Sequence, residues 1–406
     1  MLRLLSLAVR NVTRSKARTA LTVGMLFFGV MMSLTLSGFV LGVGETLVDE
    51  AIKARVGAIE VHRAGYFAER DKSPLKLDLE QGGALEAKLK GTPHVTGVTP
   101  RILFGGLLTN GSRGTMVQAT AVEPSSVFTA LPLADKYVEG GYLKPSDTNG
   151  LIVGTVMGHS LALTRDTPVM LQAQAQNGRE NALDLELRGT MGGQNPLESK
   201  RAITVPLAFA QSLLGMKGRV TEYVLAVDAP ENVEATAAAL RASLGNEYEV
   251  HTWEELRPVL RDARIIQRAI LGAVSLVFLI IAVFGVANTM LMTVMERTRE
   301  IGTMLAVGMT RAQIAGLFLL EAAVQALLGA SLGVVVATVI VRVAASQGGF
   351  FVSMGEGQGG QHVMPMLLPG AVVIAVVAAT LGALLAAVSP ALRASRLRPV
   401  EALSST

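Results

Sequence analysis

The chain contains 406 residues, of which 50% are hydrophobic and only 17% are charged. Soluble proteins carry about a quarter charged residues, so the deficit indicates segments that are dissolved in lipid. The net charge of +4 is small, so it gives little indication of a nucleic-acid partner. The absence of cysteine excludes disulfides, thiolate chemistry and cysteine-ligated metals.

Four predicted membrane-spanning helices cover residues 19–45, 266–295, 311–343 and 365–391. Each contains an apolar run of the ~20 residues that cross the hydrocarbon of a bilayer. A buried helix of a soluble protein is the alternative, but such helices seldom remain apolar over this length. The apolar part of the first span exceeds the 7–15 residues of a signal peptide, so we expect this span to be retained.

The short segments between the spans predict the orientation of the chain, because cytoplasmic loops are enriched in Lys and Arg. The basic residues of the segments 1–18, 296–311 and 392–406 are Arg3, Arg10, Arg14, Lys16, Arg18, Arg297, Arg299, Arg311, Arg393, Arg396 and Arg398. The loop 344–364 contains neither Lys nor Arg. We therefore expect a membrane protein with both termini and the connection 296–310 in the cytoplasm, and with 46–265 and 344–364 outside.

The segment 46–265 is predicted to form a large mixed α/β domain, inserted between the first two spans. Asn110-Gly111 separates the apolar runs Arg101–Thr109 and Thr115–Val122, a pattern typical of a β-hairpin. The other predicted strands are Ala58–His62, Leu151–Val153, Val169–Gln174, Leu183–Leu187, Glu222–Val227 and Tyr248–His251. The predicted helices are Thr155–Leu161, Leu207–Leu214 and Asn232–Leu244.

No motif in the sequence predicts a catalytic centre or a metal site. The five histidines lack the i, i+4 spacing of a helical zinc site; they are His62, His94, His159, His251 and His362. The sequence also has no G-x4-G-K-[ST] loop, so binding of ATP by that route is excluded. We therefore expect a non-catalytic chain that binds no cofactor directly.

The connection between the second and third spans is predicted to contain a short amphipathic helix, Arg297–Val307. Its polar side carries Arg297, Glu300 and Thr303, and its apolar side carries Ile301, Met304 and Leu305. Gly308 is suited to end the helix, and Thr310 with Gln313 has the spacing of a capping box that begins the next one. A rigid surface helix suits docking into the groove of a partner, whereas a solvated loop is the alternative.

Several motifs resemble the MacB / lipoprotein-releasing family of ABC-transporter permeases, which is FtsX-like. The motif Glu296-Arg297-x-Arg299-Glu300-Ile301-Gly302, followed by Ala306-x-Gly308 and Glu321, is similar to the coupling-helix region of that family. Similar motifs near the termini and before the second span are Arg10-Asn11, Arg14-x3-Arg18-Thr19, Trp253-Glu254-Glu255-Leu256, Pro390, Ala394, Pro399, Ala402 and Leu403. The order of one span, a large outside domain and three spans also matches.

The resemblance implies a permease of the bacterial inner membrane that pairs as a homo- or heterodimer. It also implies that the permease binds two copies of an ATPase subunit, which carries the ATP and Mg. It also implies that a coupling helix receives the ATPase motion through Arg297, Arg299, Glu300, Ile301, Gly302, Leu305, Ala306 and Gly308. The chain begins just before Arg3 without an ATPase domain, so the ATPase is expected to be a separate polypeptide.

The segment Gly57–Tyr66 resembles the LolC/LolE type of this family, which extracts lipoproteins and hands them to a carrier. That function implies a cavity for acyl chains, and the candidate lining residues are Met25, Met31, Met32, Met290 and Met292. Three alternatives remain open: efflux of drugs or peptides with a periplasmic adaptor, FtsX-like regulation of periplasmic hydrolases, and a membrane-anchored enzyme.

Two further features concern the interior of the predicted spans. Glu321 lies about three turns from the cytoplasmic end of the third span, where pairing with Arg297, Arg299 or Arg311 is favoured over a role in transport. The motifs Gly38-x3-Gly42 and Gly329-x3-Gly333 have the spacing that lets membrane helices approach closely.

Overall fold

The computed structural model describes residues 2–14, 16–136, 138–165, 167–192, 199–353 and 360–397. Of the residues used above, Arg398, Pro399, Ala402 and Leu403 lie outside this range. The chain divides into two units, each described by itself below. The membrane unit comprises 1–46, 263–351 and 362–406, and the α/β unit comprises 47–262 and 352–361.

The helices of the described residues are, in chain order, α1 (Leu2–Arg14), α2 (Lys16–Ala51), α3 (Ala84–Lys90), α4 (Val127–Ala130), α5 (Thr155–Ser160), α6 (Leu207–Leu214), α7 (Val233–Leu244), α8 (Trp253–Leu256), α9 (Pro258–Glu296), α10 (Thr298–Ala306), α11 (Arg311–Ser346) and α12 (Pro369–Ser395). Short helical turns of other types lie at Ile52–Val56, Phe67–Lys72, Pro230–Asn232 and Gly245–Glu247.

The strands of the described residues are, in chain order, β1 (Ile59–Arg63), β2 (Leu79–Glu80), β3 (Val95–Thr109), β4 (Gly114–Val122), β5 (Val138–Glu139), β6 (Gly150–Gly154), β7 (Val169–Gln174), β8 (Glu180–Met191), β9 (Ala202–Pro206), β10 (Arg219–Val220), β11 (Glu222–Val227), β12 (Tyr248–Thr252), β13 (Phe350–Ser353) and β14 (Gly360–Val363).

Four helices, α2, α9, α11 and α12, are long and apolar enough to cross a membrane. They confirm the four predicted spans. The helices α2 and α9 have 36 and 39 residues, more than the ~20 that cross the hydrocarbon, so each continues beyond it. Pro369 lies at the first position of α12, where the missing N–H of proline has no helical partner to lose.

The predicted close approach of helices is confirmed for Gly329-x3-Gly333, whereas Gly38 lies against a non-helical segment. A Cβ atom built on Gly329 or Gly333 would lie 2.8 Å from the backbone oxygen of Val23 or Phe27 in α2, so only glycine permits this approach. A Cβ on Gly38 would lie 3.2 Å from a backbone oxygen of the segment before α12. The helix α11 therefore packs closely on α2 at Gly329 and Gly333, which have no side chains.

The α/β unit is built on a sheet that has ten strands among the described residues. Their order is β12-β1-β11-β3-β4-β9-β6-β8-β5, and β7 pairs with both β3 and β8. The pairs β4–β9 and β6–β8 are parallel, and the other pairs are antiparallel. The fold class of four spans with a large mixed α/β domain is therefore as predicted.

The predicted hairpin is present with the predicted pairing, and its first strand is longer than predicted. Thr109 pairs with Gly114, and the Oδ1 atom of Asn110 accepts hydrogen bonds from the backbone of Ser112 and Arg113 at 3.0 and 2.8 Å. The strand β3 begins at Val95 although Gly97 and Pro100 interrupt its apolar pattern. The sequence prediction also missed β9, a short strand between Arg201 and Leu207 in the middle of the sheet.

Candidate functional site

The predicted coupling helix is α10, which begins after Arg297 and ends at Ala306. Ile301 and Gly302 are buried because they face the helices of the membrane unit. Gly308 has a φ angle of 104°, a conformation that favours glycine, and it ends the segment as predicted. The predicted capping box is also present, since the Oγ1 atom of Thr310 accepts a hydrogen bond from the Gln313 backbone at 3.3 Å.

Arg297 joins the coupling helix to the third span. Its Nε atom donates to the Oε2 atom of Glu300 at 2.9 Å, and its Nη1 atom donates to the Oε1 atom of Glu321 at 3.2 Å. Arg297 is thus the one of the three arginines considered above that the structure places against Glu321. Because Glu321 is only 3% exposed, this contact neutralises a carboxylate inside a span.

The N-terminal helix α1 is attached to the same network. The Nδ2 atom of Asn11 donates to Glu321 at 2.5 Å, and the Nη2 atom of Arg14 lies 3.1 Å from the Oε1 atom of Glu300. Arg18 and Glu296 form an ion pair between the beginning of α2 and the end of α9. The coupling segment is therefore connected to α1 through Glu300 and to α11 through Arg297.

These contacts shift the pKa values of two residues of the coupling segment, Glu300 and Arg297. The hydrogen bond from Arg297, with the positive charges of Arg297 and Arg14, lowers the pKa of Glu300 despite partial burial. Burial by itself would lower the pKa of Arg297, but Glu300 and Glu321 raise it. Both groups consequently remain charged throughout the physiological range.

The other residues assigned to coupling divide into two sets. Leu305 is half-buried and packs against the apolar core of the membrane unit. Arg299, Ala306 and Gly308 are exposed, as is the neighbouring Val307 at 83%. The structure thus brings Arg297, Glu300 and Glu321 together and leaves the exposed set available for contact with another protein.

An apolar groove lies between α2, α9 and α12 in the membrane unit. Its volume is about 640 Å³, within the range of ligand pockets. Leu34, Phe278 and Ile374 are typical lining residues, while Arg268 provides a charged group. Inside it, the hydroxyl of Ser33 donates to that of Ser275 at 2.9 Å, so this polar pair is satisfied within an apolar surface.

The five methionines predicted to line a cargo cavity do not surround one cavity. Met25 and Met32 line a second groove, of about 480 Å³, between α2 and α9. Met290 is 2% exposed in the core of the membrane unit, and Met31 packs against that core. Met292 is 58% exposed. A cargo role for these residues stays a prediction.

A buried charged cluster in the α/β unit was not predicted. Glu60 and His62 lie on β1, and Glu222 lies opposite His62 on β11. Ligand atoms of these three residues lie within 4.8 Å of one another, a spacing that a metal ion could use. However, Arg101 bonds to both carboxylates, at 2.5 Å to the Oε1 atom of Glu60, so their charge is already balanced by a guanidinium.

Sequence reasoning missed Asn11, Arg14 and Arg18 as members of the coupling network, although it used them as motif residues. Their sequence separation from Glu321 and Glu300 is about 300 residues, so no local pattern gives the pairing. The available signal was the excess of basic residues in the segment 1–18, which could pair with the carboxylates of Glu296 and Glu300.

The fold and this segment define a membrane protein with four spans, a short helix between the second and third spans and a large inserted α/β domain. Residues 19–243 match the family model of the MacB-like periplasmic core domain, and residues 272–399 match that of the FtsX-like permease C-terminal region. Because the first match covers more than half of the chain, the chain belongs to the MacB/LolC/LolE family of ABC-transporter permeases.

Two relatives illustrate the range of this family. The macrolide export ATP-binding/permease protein MacB of Nitrobacter winogradskyi is 28% identical over 92% of this chain and 58% of its own length. The lipoprotein-releasing system transmembrane protein LolE of Haemophilus influenzae is 26% identical over 79% of this chain and 80% of its own length. The periplasmic region of MacB from Actinobacillus actinomycetemcomitans superposes with a TM-score of 0.36 and 10% identity, covering 53% of this chain and 98% of that one.

Proposed function

We propose that this chain is the membrane subunit of an ABC transporter and extracts lipoproteins or other lipid-like cargo from the inner membrane. In this proposal a separate ATPase subunit, in two copies, binds ATP and Mg, and the chain itself is non-catalytic. The chain pairs with a second permease, its termini are cytoplasmic, and its α/β domain is periplasmic and meets a carrier or adaptor. The observation that carries the proposal is the attachment of α10 to the spans.

The contacts of α10 suit a helix that transmits force. A flexible loop would absorb the motion of a docked subunit, whereas α10 is connected by Arg297 to α11 and by Glu300 to α1. Ile301 is fully buried in the apolar core of the membrane unit, so it holds α10 against the spans. Displacement of α10 should therefore move these helices together.

The exposed side of the segment suits docking of the ATPase. Val307 is 83% exposed, and Arg299 and Ala306 are exposed beside it. An apolar side chain next to a cation is a combination that a groove on a partner can recognise. These residues take little part in the internal contacts, so they can be changed without breaking the network.

The groove between α2, α9 and α12 supports the proposed cargo. Its lining is mainly Leu and Ala, which suits acyl chains. Arg268 offers a positive charge to a polar headgroup from the same lining. Export of an apolar drug is the second candidate function, because the relative from Nitrobacter winogradskyi is a macrolide export protein and the groove suits such a molecule too.

Affinity purification from the native membrane in mild detergent, with mass spectrometry of the bound proteins, tests the proposal. An ATPase with a second permease and lipoproteins is the expected result. An ATPase with an adaptor protein would favour drug export, and an ATPase with wall hydrolases alone would favour the FtsX-like alternative. Recovery of no ATPase would contradict the central claim.

A variant pair locates the docking surface. We expect Val307→Asp to abolish recovery of the ATPase, because it places a charge in the proposed contact. Val259→Asp is the matched control, since Val259 is also highly exposed, at 79%, but lies at the beginning of α9. Equal recovery of the ATPase with both variants would exclude Val307 from the interface.

A further inference from the structure

The α/β unit contains a cleft of about 810 Å³ over three adjacent strands. Its floor is one face of β3, β4 and β9, where Leu103 pairs with Thr120 and Thr120 pairs with Thr204. Paired residues in neighbouring strands point to the same side of a sheet, so these side chains form a continuous surface. The opposite face of the same strands packs into the hydrophobic core, so the cleft is not a gap in the core.

Five arginines line this cleft, and its described lining residues include neither Asp nor Glu. The arginines are Arg55, Arg70, Arg101, Arg201 and Arg257. They come from separate parts of the chain. Arg101 lies in the floor strand β3, and Arg201 directly precedes the floor strand β9. Convergence of guanidinium groups without carboxylates makes the cleft attractive to anions.

The arginines differ in how far other groups already neutralise them. Arg101 is buried against Glu60 and Glu222, and Arg70 lies 3.8 Å from the Oε2 atom of Glu60. These two cations and two carboxylates balance one another. Arg201 is exposed and has no ion pair within the described part of the chain. The positive charge that a ligand meets therefore includes that of Arg201.

The cleft is apolar as well as cationic. Leu103, Met116 and Leu131 contribute apolar side chains to the lining. Met116 is 65% exposed, so its apolar side chain is accessible to a ligand in the cleft. A ligand that satisfies both properties carries an anionic group on an apolar body.

We propose that this cleft binds the phosphate group of an amphiphile, with Arg201 contacting the phosphate and Met116 and Leu103 contacting the apolar part. Arginine binds phosphate oxygens through two parallel N–H donors, and several arginines favour a phosphate over a single carboxylate. The inference concerns the α/β unit alone and does not depend on the proposed transporter function.

Binding can be measured on the full chain in nanodiscs of neutral lipid by titration calorimetry. The probes are dihexanoyl phosphatidic acid, inorganic phosphate, hexanoate and hexyl glucoside, all as soluble monomers. We expect phosphatidic acid to bind, and Arg201→Gln to weaken it about 10- to 100-fold, the effect of losing one charge-assisted hydrogen bond. Arg201→Lys should retain more of the affinity than Arg201→Gln.

Arg179→Gln is the matched control, because Arg179 is an exposed arginine of the same unit outside the cleft lining. Circular dichroism confirms that each variant is folded. Equal affinity for inorganic phosphate, with the same loss in Arg201→Gln, would support the contact between Arg201 and a phosphate but overturn the contact of Met116 and Leu103 with an apolar body. The proposal is overturned if hexanoate or hexyl glucoside binds as tightly, if no probe binds, or if Arg179→Gln weakens binding equally.

Discussion

Loss of Arg297 should destabilise the membrane unit more than loss of any exposed residue of the coupling segment. In Arg297→Gln, Glu321 would remain buried in its span with Asn11 as its remaining donor among the contacts described above. Removal of one partner of a buried ion pair costs about 3–5 kcal/mol. Because Asn11 is retained and Glu321 is able to take up a proton, we expect about 3 kcal/mol, at the low end of that range.

The free energy of unfolding can be followed by the loss of helical circular dichroism as SDS is added to mixed micelles. A double-mutant cycle with Glu321→Gln isolates the contact, since the double variant buries no unpaired charge. We expect the double variant to recover at least about 1 kcal/mol relative to the sum of the two single changes.

Arg299→Gln provides the control for this cycle. Arg299 lies two residues further along, is exposed, and has no ion pair within the described residues, so its replacement should change stability by less than about 0.5 kcal/mol. The reasoning would be refuted if the two single changes simply added, or if Arg297→Gln were no more damaging than the control.

Three further predictions follow from single contacts. Gly333→Ala should destabilise the membrane unit by about 1–3 kcal/mol in the same SDS titration, because its Cβ would meet backbone atoms of α2, whereas Gly316→Ala in the same helix meets open space and should not destabilise it. Thr310→Ala should lower stability by about 1 kcal/mol through loss of its capping hydrogen bond, and an unchanged titration midpoint would contradict that role. Burial by itself would raise the pKa of Glu60, but Arg101 and His62 lower it from 4.5 to about 2, so Glu60 contributes about 3 kcal/mol above pH 4.5 that is lost as the pH falls towards 2. Denaturation curves followed by the fluorescence of the single tryptophan should therefore show a flatter acid dependence in Glu60→Gln.

The features that the sequence predicted correctly have local signals. A membrane span is recognised from about 20 consecutive residues, and the capping box from the four residues Thr310–Gln313. The hairpin at Asn110-Gly111 is recognised from two apolar runs and the turn between them. Each of these signals lies within one short stretch of the sequence, so these predictions did not require knowledge of the rest of the fold.

The features that were missed depend on residues far apart in the chain. The strand β9 is only five residues long and ends at a proline, and its position between β4 and β6 follows from the whole sheet. Arg101 meets Glu60 across 41 residues and Glu222 across 121. A pair of opposite charges in a sequence has many candidate partners, so only the sheet register selects this one.

The positions carried over from the family motif have two different physical roles in this chain. Arg297, Glu300 and Ile301 hold α10 against the neighbouring helices, so changes there alter folding before they alter any contact with a partner. Arg299 and Ala306 point away from these contacts, so changes there leave the network intact. Loss of activity in a variant of the first set is therefore no evidence for docking. Only variants of the exposed residues can test the proposed docking of the ATPase without also changing the rigidity that would transmit its motion.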